Sequence, residues 1–165
     1  MLEHFEPAVI SLGDALRGRG WRLATAESCT GGLIAAACTA VAGSSDWFER
    51  GFVTYSYAAK TELLGVRASL IARDGAVSEA VARAMAEGAL AGAPVQLALA
   101  VTGIAGPGGG VAGKPVGTVW LAVAGQQGTL AERLQLQGDR AAVRAQTIEI
   151  ALARLVDAAR SAQVD

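Results

Sequence analysis

The stretch AESCTGG, residues 26–32, places two nucleophilic side chains beside a threonine and two glycines, between one apolar run and the next. Ser28 is a candidate nucleophile, and Cys29 is a rival because a thiol is intrinsically more reactive than an alcohol. A helix beginning here would present unpaired backbone amides that can hold a phosphate or a developing oxyanion. These amides belong to Cys29, Thr30, Gly31 and Gly32. Two simpler interpretations stay open: Ser28 or Thr30 caps the helix, or Cys29 is a small buried apolar residue, which we favour.

A serine attacks only when a base removes its proton. His4 is the only histidine, and its place near the chain terminus makes it a poor candidate. The remaining bases are Glu27, Lys60, and Tyr55 acting through one of them. Lys60 follows eight uncharged residues, 52–59, which favours a desolvated and therefore neutral amine. An isolated helical lysine is more often a solvated surface group, so both interpretations remain.

A second loop, TGIAGPGGGVAGKP at residues 102–115, is rich in glycine and proline. This composition excludes regular structure and is typical of backbone that lies close to another group. No Gly-Lys-Ser/Thr occurs in the chain, and the glycine-rich loop leads to a strand rather than a helix. The sequence therefore matches neither a Walker loop nor a dinucleotide fingerprint.

Strands alternate with helices along the chain, as in an α/β fold. Apolar spacing predicts helices near residues 5–16, 33–42, 58–64, 79–90 and 143–155, with Ser78 capping the fourth. Strands are predicted at 21–26, 52–55, 95–101, 116–124 and 130–137, and the last two are joined by a hairpin turn at 125–128. We therefore predict a single-domain sandwich of helices around a mixed β-sheet over residues 1–165. Ligands bind at the carboxyl ends of strands in such sheets, so the two loops should form the walls of one pocket.

Composition and charge exclude several classes of protein. The chain has 14 basic and 15 acidic residues, a formal charge of −1, which gives no general attraction for nucleic acid. The first residues lack a signal-peptide pattern, and no apolar stretch is long enough to span a membrane, so we expect a cytoplasmic protein without a membrane partner. Cys29 and Cys38 match neither a disulfide scaffold nor a zinc spacing. The apolar helices and three tryptophans are compatible with a homo-oligomer.

Six motifs, in order, make the chain similar to a known family. They are TAESCTGGLIAA, GSSDWFERGFVTYSYAAKTELLGV, GAVSEAVARAMAEGAL, AVTGIAGPGGG, KPVGTVW and GDRAAVR. Each motif is weak by itself. The ordered set, between Arg22 and Leu155, closely resembles the CinA C-terminal domain family, the nicotinamide-nucleotide amidohydrolases. Larger CinA proteins carry an additional N-terminal domain, so at 165 residues this chain resembles the stand-alone enzymes.

The resemblance implies hydrolysis of the carboxamide of nicotinamide mononucleotide, a small-molecule substrate, to nicotinic acid mononucleotide and ammonia in pyridine-nucleotide salvage. It also implies that no metal or other cofactor takes part. Carried over motif by motif, Ser28 is the nucleophile, Lys60 the general base, and Tyr55 a proton relay or orienting hydroxyl.

The resemblance further implies a substrate-binding wall. Thr102, Gly103 and Gly106 of TGIAGPGGG would line the nucleotide site. Arg140 of GDR would contact either the substrate phosphate or a neighbouring subunit. The chain departs from the family at Tyr57, where asparagine is common, so the pocket shape or substrate preference is expected to differ.

A second hypothesis comes from another class of protein: a non-catalytic nucleotide-binding or interaction module linked to competence or DNA damage. It explains the glycine-rich loops equally well. It gives no reason for the uncharged residues that precede Lys60. An ammonia assay separates the two hypotheses, because a binding module saturates without turnover.

Overall fold

A computed structural model describes residues 1–161 of the chain. Within them the backbone forms five strands and six α-helices, together with short 3₁₀ turns at Leu2–Phe5 and Ser44–Asp46. The strands are β1 (Leu23–Glu27), β2 (Phe48–Val53), β3 (Leu97–Gly103), β4 (Thr118–Gly125) and β5 (Gly128–Gln135). The helices are α1 (Glu6–Arg19), α2 (Leu33–Thr39), α3 (Tyr57–Leu64), α4 (Ala68–Asp74), α5 (Glu79–Ala91) and α6 (Arg140–Ser161).

The five strands form one mixed sheet in the order β2-β1-β3-β4-β5. Strand β1 pairs in parallel with both β2 and β3, whereas β3, β4 and β5 are joined antiparallel. The predicted hairpin is present, with Gly125 opposite Gly128. The fold class predicted from the sequence, helices around a mixed sheet, is confirmed.

The two faces of the sheet carry different apolar residues because side chains alternate along each strand. One face presents leucines and valines, including Leu97, Leu99 and Val101, and packs against α1, α2 and α6. The other presents alanines, including Ala98 and Ala100, and packs against α5 with contributions from α3 and α4. The alanine face leaves room for α5 to lie close to the sheet.

Close packing continues between α5 and the end of α3. A Cβ placed at Gly88 of α5 would overlap the carbonyl of Leu64. Ser78 accepts a hydrogen bond from the Val81 amide at 3.3 Å and caps α5, as predicted. This contact fixes the start of α5 and the loop that precedes it.

Three elements differ from the sequence-based prediction. Strand β2 begins at Phe48 rather than at residue 52, because its charged residues Glu49 and Arg50 lie at the sheet edge, where polar side chains reach water. Helix α4 was not predicted, since seven residues are too few to show a clear helical period. Helix α2 ends at Thr39, earlier than residue 42.

The topology brings three loops together at one edge of the sheet. Strands β1, β2 and β3 run parallel, so their carboxyl ends meet. They lead into residues 28–32, which we call the nucleophile loop, into residues 54–56, and into residues 104–117. The last segment contains most of the predicted glycine-rich loop, 102–115, whose first two residues extend β3 instead. The chain passes from β1 to its neighbour β2 on one side, and later to its neighbour β3 on the other side. Open α/β sheets bind ligands at the carboxyl ends of strands where the direction of the connections reverses in this way. No helix within residues 1–161 has both the length and the apolar character that crossing a bilayer requires.

Candidate active site

Ser28 is the first residue after β1 and remains tied to the sheet. Its amide donates to the carbonyl of Val101 in β3 at 3.0 Å. The residue is 8% exposed, so the hydroxyl is nearly buried but reaches a cavity. The sheet therefore sets the position of the predicted nucleophile.

Lys60 reaches Ser28 from the first turn of α3. Ser56 caps this helix by accepting a hydrogen bond from the Ala59 amide at 3.0 Å, which fixes where the helix begins. The Lys60 amine is buried, with 1% of the residue exposed, and its Nζ lies 3.0 Å from Ser28 Oγ. The structure thus brings together the two residues that the sequence proposed as nucleophile and base.

The surroundings of Lys60 favour an uncharged amine. Burial lowers the pKa of Lys60 below the usual lysine value of 10.5. Nζ also donates to the carbonyls of Thr54, at 2.8 Å, and Tyr55, at 3.4 Å. A neutral amine has two hydrogens and one lone pair. With both hydrogens on carbonyls, the lone pair is left to accept the Ser28 proton.

Glu27, the alternative base, is engaged elsewhere. Its carboxylate accepts hydrogen bonds from the Thr30 hydroxyl at 2.6 Å and from the amides of Ile34 and Ala35 at 2.8 and 2.9 Å. The residue is 1% exposed and lies under the start of α2, outside the cavity wall. Its geometry is that of a cap that holds the helix.

The N-terminus of α2 itself is not free for an anion, because the Glu27 carboxylate occupies it, whereas the oxyanion role of the Cys29 and Thr30 amides remains a prediction. Helix α2 begins at Leu33, and its first free amides bond to the Glu27 carboxylate. The Gly31 amide donates to the Ser28 carbonyl at 3.0 Å instead of facing a ligand. Gly31 and Gly32 have φ angles of 59° and 99°, a conformation that favours glycine, so they serve the turn.

Cys29 and Thr30 have different places in the nucleophile loop. Cys29 lines the cavity beside Ser28, whereas Thr30 is fully buried and bonds to Glu27. Neither backbone amide donates to another residue within 1–161. Burial raises the pKa of the Cys29 thiol to about 12, and Arg144 and Lys60 oppose this only in part. The thiol therefore stays protonated at neutral pH and is a poor rival to Ser28.

Tyr55 contributes its backbone rather than its hydroxyl to the Ser28–Lys60 pair. Its carbonyl accepts from Lys60, while its hydroxyl accepts a hydrogen bond from Arg140 at 3.3 Å. The side chain is 61% exposed. In the described part of the chain no hydrogen bond joins the Tyr55 hydroxyl to Ser28 or Lys60, so no contact supports the relay role. An orienting role toward Arg140 fits the geometry.

The opposite wall comes from β3 and the loop after it. The Thr102 hydroxyl donates to the Ala76 carbonyl at 2.9 Å and so ties the segment before α5 to the cavity. A Cβ at Gly103 would come 2.6 Å from a methyl of Val119, so only glycine fits there. The Gly106 carbonyl accepts from Arg140 at 3.0 Å, which makes Gly106 an anchor for that side chain.

These residues enclose a cavity of about 200 Å³. All the predicted site residues line it except Thr30, Gly31, Gly32 and Gly106. Sequence reasoning missed Ala76, Val77 and Ala105, which also line the wall, although the motif GAVSE contains the first two. Tyr57, noted as a departure from the family, stands at the rim and is 64% exposed. Residues 1–161 contain no cluster of three or more side chains suited to holding a metal ion.

The chain is similar to several named relatives over most of its length. The nicotinamide-nucleotide amidohydrolase PncC of Enterobacter agglomerans is 56% identical over 144 residues, 87% of this chain and 88% of that protein. The protein of the same name from Escherichia coli K12 is 52% identical over 145 residues, with 87% and 88% covered. A CinA-like protein of Citrifermentans bemidjiense is 60% identical over 137 residues, which are 83% of this chain but 33% of that protein.

Solved structures show the same fold. The crystal structure of the competence damage-inducible protein A (ComA) from Klebsiella pneumoniae superposes with a TM-score of 0.92 at 43% identity, covering 96% of this chain and 98% of that one. The crystal structure of the competence/damage inducible protein CihA from Agrobacterium tumefaciens gives a TM-score of 0.89 at 44% identity, with 93% of this chain and 94% of that one covered. The family model of the CinA C-terminal domain matches residues 6–159. Sequence motifs, fold and this match agree, and the chain belongs to the CinA C-terminal domain family.

Proposed function

We infer that this protein is a nicotinamide-nucleotide amidohydrolase, which converts nicotinamide mononucleotide and water to nicotinic acid mononucleotide and ammonia. The observation that carries the chemistry is the 3.0 Å contact between Ser28 Oγ and the buried Lys60 amine. Two relatives that bear this activity in their names are 52% and 56% identical to the chain over most of both lengths. The substrate is accordingly a small molecule, and the reaction is hydrolysis of an amide bond.

In the first half of the reaction the amide becomes an ester. Neutral Lys60 accepts the Ser28 proton while Oγ attacks the carboxamide carbon, forming a tetrahedral oxyanion. The carbon–nitrogen bond then breaks, and the Lys60 ammonium gives its proton to the leaving nitrogen, which departs as ammonia. The cationic pyridinium ring withdraws electrons from the carboxamide and lowers the barrier to attack.

In the second half water replaces the leaving amine. Lys60, neutral again, accepts a proton from water, and the oxygen attacks the acyl carbon. The ester bond to Ser28 breaks, and Lys60 returns the proton to Oγ. The product leaves as a carboxylic acid, and the enzyme regains its starting protonation state.

The oxyanion needs hydrogen-bond donors that are free when the substrate arrives. The amide of Cys29 is the best placed, because Cys29 lines the cavity next to Ser28 and its amide bonds to no other described residue. The Thr30 amide is the next candidate along the nucleophile loop. Known enzymes lose roughly 10²- to 10³-fold in kcat when one such donor is removed.

Arg140 supports binding of the substrate phosphate. Its guanidinium lies in the cavity wall, held by the Gly106 carbonyl and the Tyr55 hydroxyl, and no carboxylate in residues 1–161 lies within 4 Å of it. An unpaired guanidinium is suited to a phosphate because its planar donors match two oxygens. In this proposal Thr102 and Gly103 shape the nucleotide wall, and Tyr55 orients Arg140.

The proposal extends to the setting of the enzyme. The chain acts as one amidohydrolase domain over residues 1–165, in the cytoplasm and in pyridine-nucleotide salvage. It forms a homo-oligomer and binds neither nucleic acid nor membrane, in keeping with its formal charge of −1.

The proposed function is tested by measuring ammonia release from nicotinamide mononucleotide. We expect Ser28→Ala to abolish turnover, and Lys60→Met to lower kcat by roughly 10²- to 10⁴-fold, the usual worth of a general base. Cys29→Ala is the matched control and keeps most of the activity, since its thiol is protonated. Saturable binding without turnover by the wild type would favour the interaction module instead. Loss of activity in Cys29→Ala with an active Ser28→Ala would make the thiol the nucleophile.

A further inference from the structure

Arg144 is a charged residue that the proposed mechanism does not use. It lies one turn after Arg140 on α6, within the motif GDRAAVR. Its Nη2 donates to the carbonyl of Thr30 in the nucleophile loop at 3.3 Å. It does not contribute to the cavity wall, in contrast to Arg140. Its contact is therefore with the backbone that carries the reaction rather than with the substrate.

The surroundings of Arg144 are unfavourable for a charged guanidinium group. The residue is half-buried, its Nε is fully buried with no hydrogen-bond partner in the described chain, and no carboxylate among residues 1–161 lies within 4 Å. Burial of a donor without a hydrogen-bond partner is unfavourable. Arg154 on the same helix shows the ordinary arrangement, an ion pair with Glu132 at 2.7 Å. A neutral apolar residue at position 144 would avoid the cost, so the retained charge points to a role in the site.

Hydrogen bonds hold both the side-chain hydroxyl and the backbone carbonyl of Thr30. The Glu27 carboxylate accepts from its hydroxyl at 2.6 Å, and Arg144 donates to its carbonyl. The Leu33 amide also donates to that carbonyl, at 3.1 Å. The carbonyl bonds hold the peptide unit after Thr30 and the hydroxyl bond holds its side chain, so together they limit rotation of the Thr30 backbone. The peptide unit before Thr30 contains the Thr30 amide, which donates to no acceptor among the described residues.

We propose that Arg144 is a positioning residue for the amidase reaction: by holding the Thr30 carbonyl it keeps the amides after Ser28 directed at the developing oxyanion. Its positive charge acts in the same direction, because it favours negative charge in the nucleophile loop. Arg144 likewise opposes, as one of the smaller influences, the rise of the Cys29 thiol pKa that burial causes. This inference rests on the proposed amidohydrolase function.

The test compares Arg144→Met and Arg144→Lys with wild type, using ammonia release from nicotinamide mononucleotide. If Arg144→Met loosens the amide donors, kcat should fall by roughly 10- to 100-fold, because a displacement of about 1 Å in a catalytic group can lower the rate by about 100-fold. KM should change less than about threefold, since Arg144 does not line the cavity. Arg144→Lys restores a cationic donor and should recover most of the lost kcat. Arg154→Met is the matched control on the same helix, with kcat near wild type despite the loss of its ion pair.

Each result supports or overturns the inference. Folding is followed by circular dichroism and Tm, and Arg144→Lys still tests the inference if Arg144→Met does not fold. A kcat of Arg144→Met within about twofold of wild type overturns it, as does a lysine variant that folds but recovers nothing. A rise in KM with unchanged kcat also overturns it, because Arg144 would then bind substrate. An inactive wild type refutes the proposed function itself, and this outcome is distinct from an active wild type with an unaffected variant.

Discussion

Replacement of Glu27 by glutamine separates a structural carboxylate from a catalytic one. The side chain accepts three hydrogen bonds, from the Thr30 hydroxyl and the amides of Ile34 and Ala35, and it is almost fully buried. A carboxamide has the same size but only one accepting oxygen. If that oxygen keeps the bonds to Thr30 and Ile34, the new NH₂ group faces the Ala35 amide, and two donors oppose each other.

The magnitude follows from these contacts. The lost bond and the unsatisfied buried donor cost about 1–3 kcal/mol. Each of the two remaining bonds loses its charge assistance, about 1 kcal/mol each, because bonds to charged groups are roughly twice as strong as neutral ones. Burying a neutral amide instead of a carboxylate offsets part of this sum. We expect a fall of about 3 kcal/mol in the free energy of unfolding, which at this chain length lowers Tm by roughly 6–12 °C.

The assay combines thermal unfolding with ammonia release. Below its own Tm, Glu27→Gln should keep kcat within about tenfold of wild type and the same pH midpoint, because Lys60 remains the base. Glu62→Gln is the matched control: Glu62 is exposed on α3, so its Tm should change by less than about 2 °C. The reasoning is refuted if Glu27→Gln leaves Tm unchanged but removes roughly 10²- to 10⁴-fold of kcat together with the pH dependence. Glu27 would then be the base.

Four further predictions test Lys60, Arg140 and Gly88. Wild-type kcat should rise with pH to a midpoint below 10.5, since burial lowers the pKa of Lys60 and the neutral amine is the active form; a pH-rate profile that falls over this range contradicts it. Over the same interval, between the folded-state pKa and 10.5, the unfolded chain binds the extra proton at Lys60, so the stability of wild type relative to Lys60→Met should rise with pH in urea titrations. The buried cysteines titrate in both proteins and cancel in this difference. Arg140→Ala should raise KM for nicotinamide mononucleotide by roughly 10-fold or more with a smaller effect on kcat, as expected for a lost phosphate contact; an unchanged KM removes Arg140 from the phosphate site. Gly88→Ala should lower the free energy of unfolding by about 1–3 kcal/mol because its Cβ overlaps the Leu64 carbonyl, whereas Gly18→Ala, with open space around it in α1, should be neutral or stabilising by up to about 1 kcal/mol.

Local patterns in the sequence predicted much of the fold. The continuous apolar run before the glycine-rich loop, the hairpin turn at 125–128 and the cap at Ser78 each reflect interactions within a few residues, and all three are present. The early start of β2 and the short helix α4 depend on tertiary surroundings. Edge strands carry charged residues that break the apolar alternation, so the sequence alone could not show that 48–51 pair with β1.

The candidate site also combines features that local sequence patterns indicate with contacts that only the tertiary structure shows. The run of uncharged residues before Lys60 was compatible with a desolvated amine but left a solvated surface lysine open, and the structure decides between them by burying the amine against Ser28. The use of the α2 amides could not be predicted, because nothing in AESCTGG shows that the Glu27 side chain turns back under the helix that follows it. The same limit applies to Arg144, whose contact with Thr30 joins residues 114 positions apart.

Glu27 and Lys60 show how the fold separates two charges that could otherwise neutralise each other. Successive side chains of a strand point to opposite faces of the sheet, and Glu27 ends β1 on the face covered by α2. Lys60 comes from α3, which packs on the opposite face. A carboxylate beside Lys60 would stabilise its ammonium form and raise its pKa. By directing that carboxylate to the amides of α2, the sheet leaves Lys60 with carbonyls and the Ser28 hydroxyl as neighbours, and these permit the neutral amine on which proton transfer from Ser28 depends.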